Sequence, residues 1–198
     1  MSIEANAGHA GNSFSPMLIS DADFQRMVTF IKSNYGIDLS HKRQLITGRL
    51  SPTIRKMGYS SFSDFVTHLL EKKDADEITM ILNKLTTNYT FFMREQEHLE
   101  YFRQRIIPDL IRRHQRDKVL SIWSAGCSSG EEPYNITMYL FDYLGTQARQ
   151  WDTRILATDI SANALTSAKK GIYELPETMP TDWKRKYFTK NPDGTYTV

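Results

Sequence analysis

The sequence predicts an α/β protein in which a small all-helical N-terminal domain precedes the first part of a doubly wound, Rossmann-like domain. Apolar residues recur at helical spacing from Ser20 to Leu85. The order strand, helix, strand, helix fits residues 119–170, and this order is typical of a parallel sheet with crossover helices. We expect four segments: a disordered leader (1–16), the helical domain (17–90), a linker helix (91–117) and a partial α/β domain (118–198).

Four amphipathic segments make up the predicted helical domain. The first begins after Ser20, whose side chain is suited to cap a helix N-terminus. The second begins near Ser40, the third near Ser60, and the fourth ends at Leu85. Pro52 predicts that the second segment breaks and restarts, because proline suits the first turn of a helix and disrupts its interior.

Two short apolar runs, each followed by a helical pattern, predict the second domain. A helix over 95–113 leads to a first strand over 119–123, which a loop of small residues follows. Helical spacing returns over 131–144, and a second strand over 154–158 precedes a helix over 161–170. A complete doubly wound domain has five or more strands. We therefore expect an unfinished sheet with exposed apolar faces, and no activity from this stretch of chain alone.

Composition excludes several classes of protein. A net charge of +2 is too small to require nucleic acid or a membrane surface as a partner, and no run approaches the roughly eighteen apolar residues of a membrane span. Cys127 is the only cysteine, and the five histidines lack ligand spacing, so we expect no disulfide and no metal. The chain is expected to be a cytoplasmic monomer without a signal peptide.

The strongest signal of a ligand site is the loop Trp123–Tyr134, with the sequence WSAGCSSGEEPY. Gly126 and Gly130 allow a ligand to approach the backbone, and the following helix N-terminus offers free N–H groups to a carboxylate. Glu131 or Glu132 could accept a hydrogen bond from an ammonium group. An amino acid carries both a carboxylate and an ammonium group. The loop alone could also be a tight connection that binds no ligand.

Asp159, at the end of the second strand, indicates that the ligand contains a nucleoside. An acid at this edge of the sheet can accept hydrogen bonds from both ribose hydroxyls. Its distance along the chain from Gly126 is longer than the roughly 20 residues of a dinucleotide-binding fingerprint. A nucleoside joined to an amino acid describes S-adenosylmethionine better than NAD.

The loop resembles that of CheR-type protein-glutamate methyltransferases of bacterial chemotaxis. Three further stretches resemble the family in the expected order: 86–95, 157–160 and 171–173. Three positions depart from the residues common in the family. Met93 stands where phenylalanine is common, Ser129 where threonine is common, and Asn135 where serine is common. Cys127 is interpreted as a small loop residue and not as a nucleophile, because its acidic neighbours disfavour a thiolate.

The resemblance implies that the protein uses S-adenosylmethionine to methylate glutamate side chains on the cytoplasmic domains of chemoreceptors during adaptation. It implies that Asn88, Thr90 and Arg94 reach the cofactor, and that Arg94 is a catalytic residue that holds the cofactor's carboxylate or the incoming glutamate. The residues alone favour a structural interpretation, in which Asn88 and Thr90 form a turn or cap and Arg94 forms a surface ion pair.

The resemblance also gives the basic stretch 42–56 a role. This stretch contains no acid, and its Arg49 and Arg55 are expected to dock on an acidic receptor surface, although a charge run is more often a solvated face. The alternative to an enzyme is a non-catalytic module that binds receptor or cofactor. A nucleic-acid or small-molecule methyltransferase fits less well, since the motif expected for base methylation is absent.

Overall fold

The computed structural model describes residues 17–198, so the leader predicted over 1–16 lies outside the described residues. The chain divides into two compact units, with the boundary between Leu85 and Thr86. Among the described residues, no helix is both long enough and apolar enough to cross a membrane.

Four helices form the first unit, as predicted. They are α1 (Asp21–Tyr35), α2 (Arg43–Lys56), α3 (Phe62–Lys72) and α4 (Ala75–Leu85). The Oγ atom of Ser20 accepts a hydrogen bond from the backbone N–H of Asp23 at 3.1 Å, and thereby caps α1. The core consists of the apolar stripes of all four helices, and the fully buried side chains include Met27, Leu50 and Phe65.

The predicted break at Pro52 is wrong, because α2 runs through this residue without interruption. A proline inside a helix costs about 3 kcal/mol or more. Ile46, Leu50 and Ile54 lie at helical spacing and are fully buried, and each such side chain contributes roughly 1.5–3 kcal/mol on burial. Packing of one face against the core therefore outweighs the local cost of the proline.

The second unit contains both helices and short strands. Its helices are α5 (Gln96–Tyr101), α6 (Ile107–Arg113), α7 (Glu131–Leu144), α8 (Ala162–Lys170) and α9 (Thr181–Tyr187). Its strands are β1 (Ile122–Ala125), β2 (Ile155–Thr158), β3 (Ile172–Tyr173), β4 (Thr189–Lys190) and β5 (Tyr196–Thr197).

β1 and β2 form the predicted parallel pair, with Trp123 opposite Leu156. The first strand begins three residues later than its predicted start at Val119, which forms only an isolated parallel bridge with Asp152. α7 connects the two strands, as expected for a parallel sheet. Trp123 and Leu156 are 66% and 61% exposed, so one face of this pair is open.

The helix predicted over 95–113 is interrupted by a π-helical segment, Phe102–Ile106. The backbone N–H of Ile107 bonds to the carbonyl of Phe102, five residues earlier. Pro108 follows at once, at the start of α6. Its ring clashes with the preceding turn of a regular α-helix, and a π-bulge is one way in which helices absorb such an obstacle.

The parallel sheet has the two predicted strands, but three further strands were not predicted from the sequence. β3, β4 and β5 form a separate antiparallel sheet in the order β3-β5-β4. Each of these strands has only two residues, which is too short for an alternating pattern. The core of this unit includes Phe92, whose ring lies edge-on to the rings of Tyr173 and Phe188 at centroid distances of 4.9 and 5.3 Å.

Candidate functional site

A cavity of about 430 Å³ in the second unit brings together most of the predicted ligand residues. The predicted residues that line it are Asn88, Thr90, Arg94, Gly126, Glu132 and Asp159. They come from a segment before α5, from the loop after β1, from the first turn of α7 and from the end of β2. Because β1 and β2 are parallel, their carboxyl ends meet at one edge of the sheet, where the cavity lies.

The end of β2 holds the glycine-containing loop in place. The backbone N–H groups of Gly126 and Cys127 both donate to the carbonyl oxygen of Thr158, at 2.8 and 2.9 Å. Gly126 has a φ of +83°, and a Cβ atom built on it would contact nothing within 4 Å. The space in front of this backbone is therefore open, so a ligand can approach it closely.

Asp159 is fixed by the backbone on both of its carboxylate oxygens. Oδ2 accepts a hydrogen bond from the N–H of Ser128 at 2.7 Å, and Oδ1 accepts one from the N–H of Ser161 at 2.8 Å. Each carboxylate oxygen can accept more than one hydrogen bond. The carboxylate is therefore oriented in advance and still able to accept hydrogen bonds from ligand hydroxyls.

The segment that carries Asn88 and Arg94 is tied to the loop and is locally strained. Ser128 donates its Oγ–H to the carbonyl of Asn88 at 2.8 Å. Arg94 donates from Nη1 to the carbonyl of Tyr89 at 3.0 Å. Its neighbours Met93 and Glu95 have φ values of 63° and 52°. Residues other than glycine adopt such positive φ values at a cost of about 1–2 kcal/mol. Such strain is typical of segments shaped for a ligand.

Of the two adjacent acids, only Glu132 lines the cavity. Its Oε1 accepts a hydrogen bond from Ser124 Oγ at 2.7 Å. Glu131 is 8% exposed and instead accepts a hydrogen bond from Ser129 Oγ at 2.7 Å. Of the two acids, Glu132 therefore faces the cavity, and Glu131 does not line it.

Gly130, by contrast, serves packing and does not line the cavity. A Cβ atom at this position would lie 2.8 Å from the hydroxyl of Tyr173 and 2.9 Å from Cβ of Ala168. The hydroxyl of Tyr173 in turn donates a hydrogen bond to the carbonyl oxygen of Ser129 at 2.7 Å. The two glycines of the loop therefore have different roles: Gly126 leaves space for a ligand, and Gly130 admits a tyrosine.

Comparison with known proteins identifies the family. Residues 88–198 match the model described as the SAM binding domain of CheR methyltransferase, and residues 22–86 match its all-alpha domain. The chain belongs to the CheR methyltransferase family. The matched region of the SAM binding domain contains every residue that lines the cavity except Thr87.

Relatives of this chain are named chemotaxis protein methyltransferases. A chemotaxis protein methyltransferase of Borreliella burgdorferi is 34% identical over 187 residues, which cover 91% of this chain and 65% of the relative. The chemotaxis protein methyltransferase of Escherichia coli is 36% identical over 178 residues, covering 88% of this chain and 59% of the relative. The chain thus spans less than two thirds of the length of these CheR relatives.

Several residues that line the cavity of this CheR chain were not predicted from its sequence. Tyr89 and Phe91 both line the cavity, and their rings lie 5.6 Å apart between centroids. Asn135 also lines it, although the sequence marks it only as a departure from the family. Its spacing of three residues from Glu132 places it on the same helix face, and this signal could have predicted its position.

Cys127 borders the same cavity and is buried. Burial raises the pKa of its thiol, and the nearby carboxylate of Asp159 raises it further. The thiol is therefore protonated at neutral pH. Its chemistry fits the interpretation of Cys127 as a loop residue and not a nucleophile.

The two arginines predicted to dock on a substrate lie on α2 in the first unit. Arg49 donates from Nη1 to the carbonyl oxygens of Lys84 and Leu85, at 3.2 and 3.4 Å. These carbonyls end α4, so Arg49 also satisfies acceptors that a helix C-terminus leaves open. Arg55 is half-buried, whereas Lys42 and Lys56 are exposed.

Proposed function

We propose that the full-length protein transfers a methyl group from S-adenosylmethionine to glutamate side chains on the cytoplasmic domains of chemoreceptors. The observation that carries this proposal is that Glu132 and Asp159, from two different βα connections, line one cavity. Membership of the CheR family and the names of the relatives support it. We further propose that the protein acts in the cytoplasm as a monomer.

The residues around the cavity suit the parts of this cofactor. Asp159 offers acceptors for the ribose hydroxyls, and Gly126 leaves its backbone accessible beside them. Glu132 offers a carboxylate for an ammonium group. Arg94 offers a planar fork for a carboxylate, either that of the cofactor or that of the substrate glutamate. Asn88 and Thr90 add neutral hydrogen bonds.

The proposed chemistry needs little from the protein beyond binding and alignment. The cofactor supplies the methyl group, and the products are a glutamate methyl ester and S-adenosylhomocysteine. A glutamate carboxylate has an ordinary pKa of about 4.3 and is ionised at neutral pH, so no general base is required. Arg94 would then contribute by aligning a carboxylate.

Receptor docking is proposed for the basic stretch 42–56, which includes Arg49 and Arg55. An acid-free basic segment favours encounter with an acidic surface, and its effect weakens as salt increases. Because Arg49 also binds the end of α4, replacing it tests folding and docking together. Lys42 and Lys56 are better positions for testing the charge of this surface.

The decisive experiment combines binding and product chemistry in the full-length protein. Isothermal titration calorimetry should detect binding of S-adenosylhomocysteine. Receptor cytoplasmic fragments incubated with S-adenosylmethionine carrying a labelled methyl group should gain label that mild base releases as methanol, which is the signature of a methyl ester. Binding without labelled receptor would favour the alternative of a non-catalytic module. Absence of both binding and labelling would contradict the proposal.

A further inference from the structure

Two exposed aromatic side chains, Tyr89 and Phe91, lie next to each other at the edge of the cavity. Both residues line the cavity, and their ring centroids are 5.6 Å apart with an angle of 55° between the ring planes. Tyr89 is 73% exposed, which makes it the most exposed aromatic side chain among residues 17–198, and Phe91 is 39% exposed. Single exposed apolar residues are ordinary, whereas neighbouring aromatic rings beside a cavity are typical of an interaction site.

The two rings do not belong to the core of this unit. Phe92, directly after Phe91, is 1% exposed and contacts the rings of Tyr173 and Phe188. The chain thus turns one phenylalanine inward and its neighbour outward. Water around an exposed aromatic ring is released when an apolar group covers the ring, and this release favours binding. Packing of the described residues therefore accounts for Phe92 but not for the outward rings of Tyr89 and Phe91.

Two hydrogen bonds attach Arg94 to the residues that carry these rings. The backbone N–H of Arg94 donates to the carbonyl of Phe91 at 3.4 Å, and Nη1 of Arg94 donates to the carbonyl of Tyr89 at 3.0 Å. A guanidinium group has five N–H donors, so donors remain for a carboxylate. A carboxylate bound by Arg94 would therefore lie near the two rings.

The position of Arg94 indicates which end of the cofactor the rings face. S-adenosylmethionine carries its methionine on one side of the ribose and its adenine on the other, and the transferred methyl group is bonded to the methionine sulfur. The two carboxylates proposed for Arg94 are those of the methionine moiety and of the substrate glutamate, and both lie on the methionine side. Asp159 is proposed to bind the ribose between the two sides. The rings therefore lie where the substrate approaches and not where adenine binds.

We propose that Tyr89 and Phe91 bind apolar side chains that flank the methylated glutamate of the receptor, and thereby help to determine which glutamate is methylated. This inference rests on the proposed function, because it describes the substrate of the same site. Aromatic side chains supply a large contact area and lose little conformational entropy on binding, since each has only two side-chain torsions. The rings would thus recognise the surroundings of the glutamate and not its carboxylate.

Receptor methylation by the full-length protein tests this contact. The double variant Tyr89→Ala and Phe91→Ala removes both rings but keeps the backbone carbonyls that bind Arg94. KM for a receptor cytoplasmic fragment should increase about tenfold, because two apolar contacts are lost, whereas the calorimetric affinity for S-adenosylhomocysteine should stay the same. Tyr89→Phe should have a lower KM than Tyr89→Ala, since it keeps the ring. Tyr101→Ala is the matched control with a normal KM, because Tyr101 is 61% exposed on α5 and does not line the cavity.

A change in the substrate provides a second measurement. The substrate here is a receptor fragment in which serine replaces the apolar residues next to the methylated glutamate. For the wild type, KM should be higher with this fragment than with the original one. For the double variant, KM should change little between the two fragments, because both changes remove the same contact. Equal increases for the two proteins would contradict the inference.

The other outcomes separate this inference from the function on which it rests. A wild-type KM in the double variant would overturn the inference. Weaker binding of S-adenosylhomocysteine would mean that the rings contact the cofactor, and a large loss in the free energy of unfolding would mean that another part of the full-length chain covers them. Either result would also overturn the inference. If the wild type methylates no receptor, the proposed function itself fails, and this inference fails with it.

Discussion

The first unit closes its apolar core, whereas the parallel sheet of the second unit leaves one face open. In α1–α4 the apolar stripes meet one another, and Leu50 on α2 is completely buried. In the second unit, the cross-strand pair of Trp123 and Leu156 is mostly exposed. Helices close together in sequence can complete a core with few partners, whereas each face of a parallel sheet needs a further layer.

The largest expected effect compares two leucines, one from each region. Leu50→Ala should reduce the free energy of unfolding by about 2–5 kcal/mol, since it leaves a cavity in a filled core. Leu156→Ala removes a side chain that is 61% exposed. This replacement should change the free energy of unfolding by about 0.5 kcal/mol or less. Urea denaturation followed by circular dichroism measures both. Similar losses for the two variants would contradict the contrast between a closed core and an open face.

The next effect separates the two glycines of the loop. Gly130→Ala should be strongly destabilising, because strain at positive φ of about 1–2 kcal/mol adds to overpacking against Tyr173 of about 1–3 kcal/mol. Gly126→Ala should incur only the strain, since its Cβ meets nothing within 4 Å, yet it should weaken cofactor binding. Thermal unfolding and calorimetric titration of the two variants provide the comparison. Equal destabilisation would contradict the packing role of Gly130.

A third prediction concerns the carboxylate at the end of β2. Asp159→Ala should weaken binding of S-adenosylhomocysteine by about 1.5–3 kcal/mol, the range for hydrogen bonds to a charged group. It should also loosen the loop, because the N–H groups of Ser128 and Ser161 lose their acceptor. Asp182→Ala, at an exposed position on α9, is the control. Unchanged affinity in the Asp159 variant would remove this residue from the site.

The smallest effect is expected on the surface of the first unit. The double replacement Lys42→Glu and Lys56→Glu should slow receptor methylation, most clearly at low salt, and leave cofactor affinity unchanged. Both residues are exposed, and changes at exposed charges have small effects on stability. Initial rates measured at several salt concentrations provide the test. A wild-type rate of receptor methylation at low salt would show that the basic stretch 42–56 is a solvated surface and not a docking site.

Local patterns account for what the sequence predicted correctly. The helical repeat of buried residues is a property of neighbouring positions, so α1–α4 and the cap at Ser20 could be predicted without tertiary information. The strand, loop and helix around Gly126, and an acid after the next strand, likewise follow from residue order. These features placed Gly126 and Asp159 at one sheet edge, where the cavity lies.

The remaining features depend on contacts that residue order does not contain. Glu131 and Glu132 are adjacent and chemically alike, and the packing of α7 decides that only Glu132 lines the cavity. Burial of Ile54 and its neighbours overrides the local preference of Pro52 to end α2, and strands of two residues carry no pattern of their own. The sequence by itself determined the helical unit, the parallel strand pair and the position of the loop between β1 and α7. Only the tertiary structure decided which side chains share the cavity, because small differences in packing turn one neighbour inward and the next away.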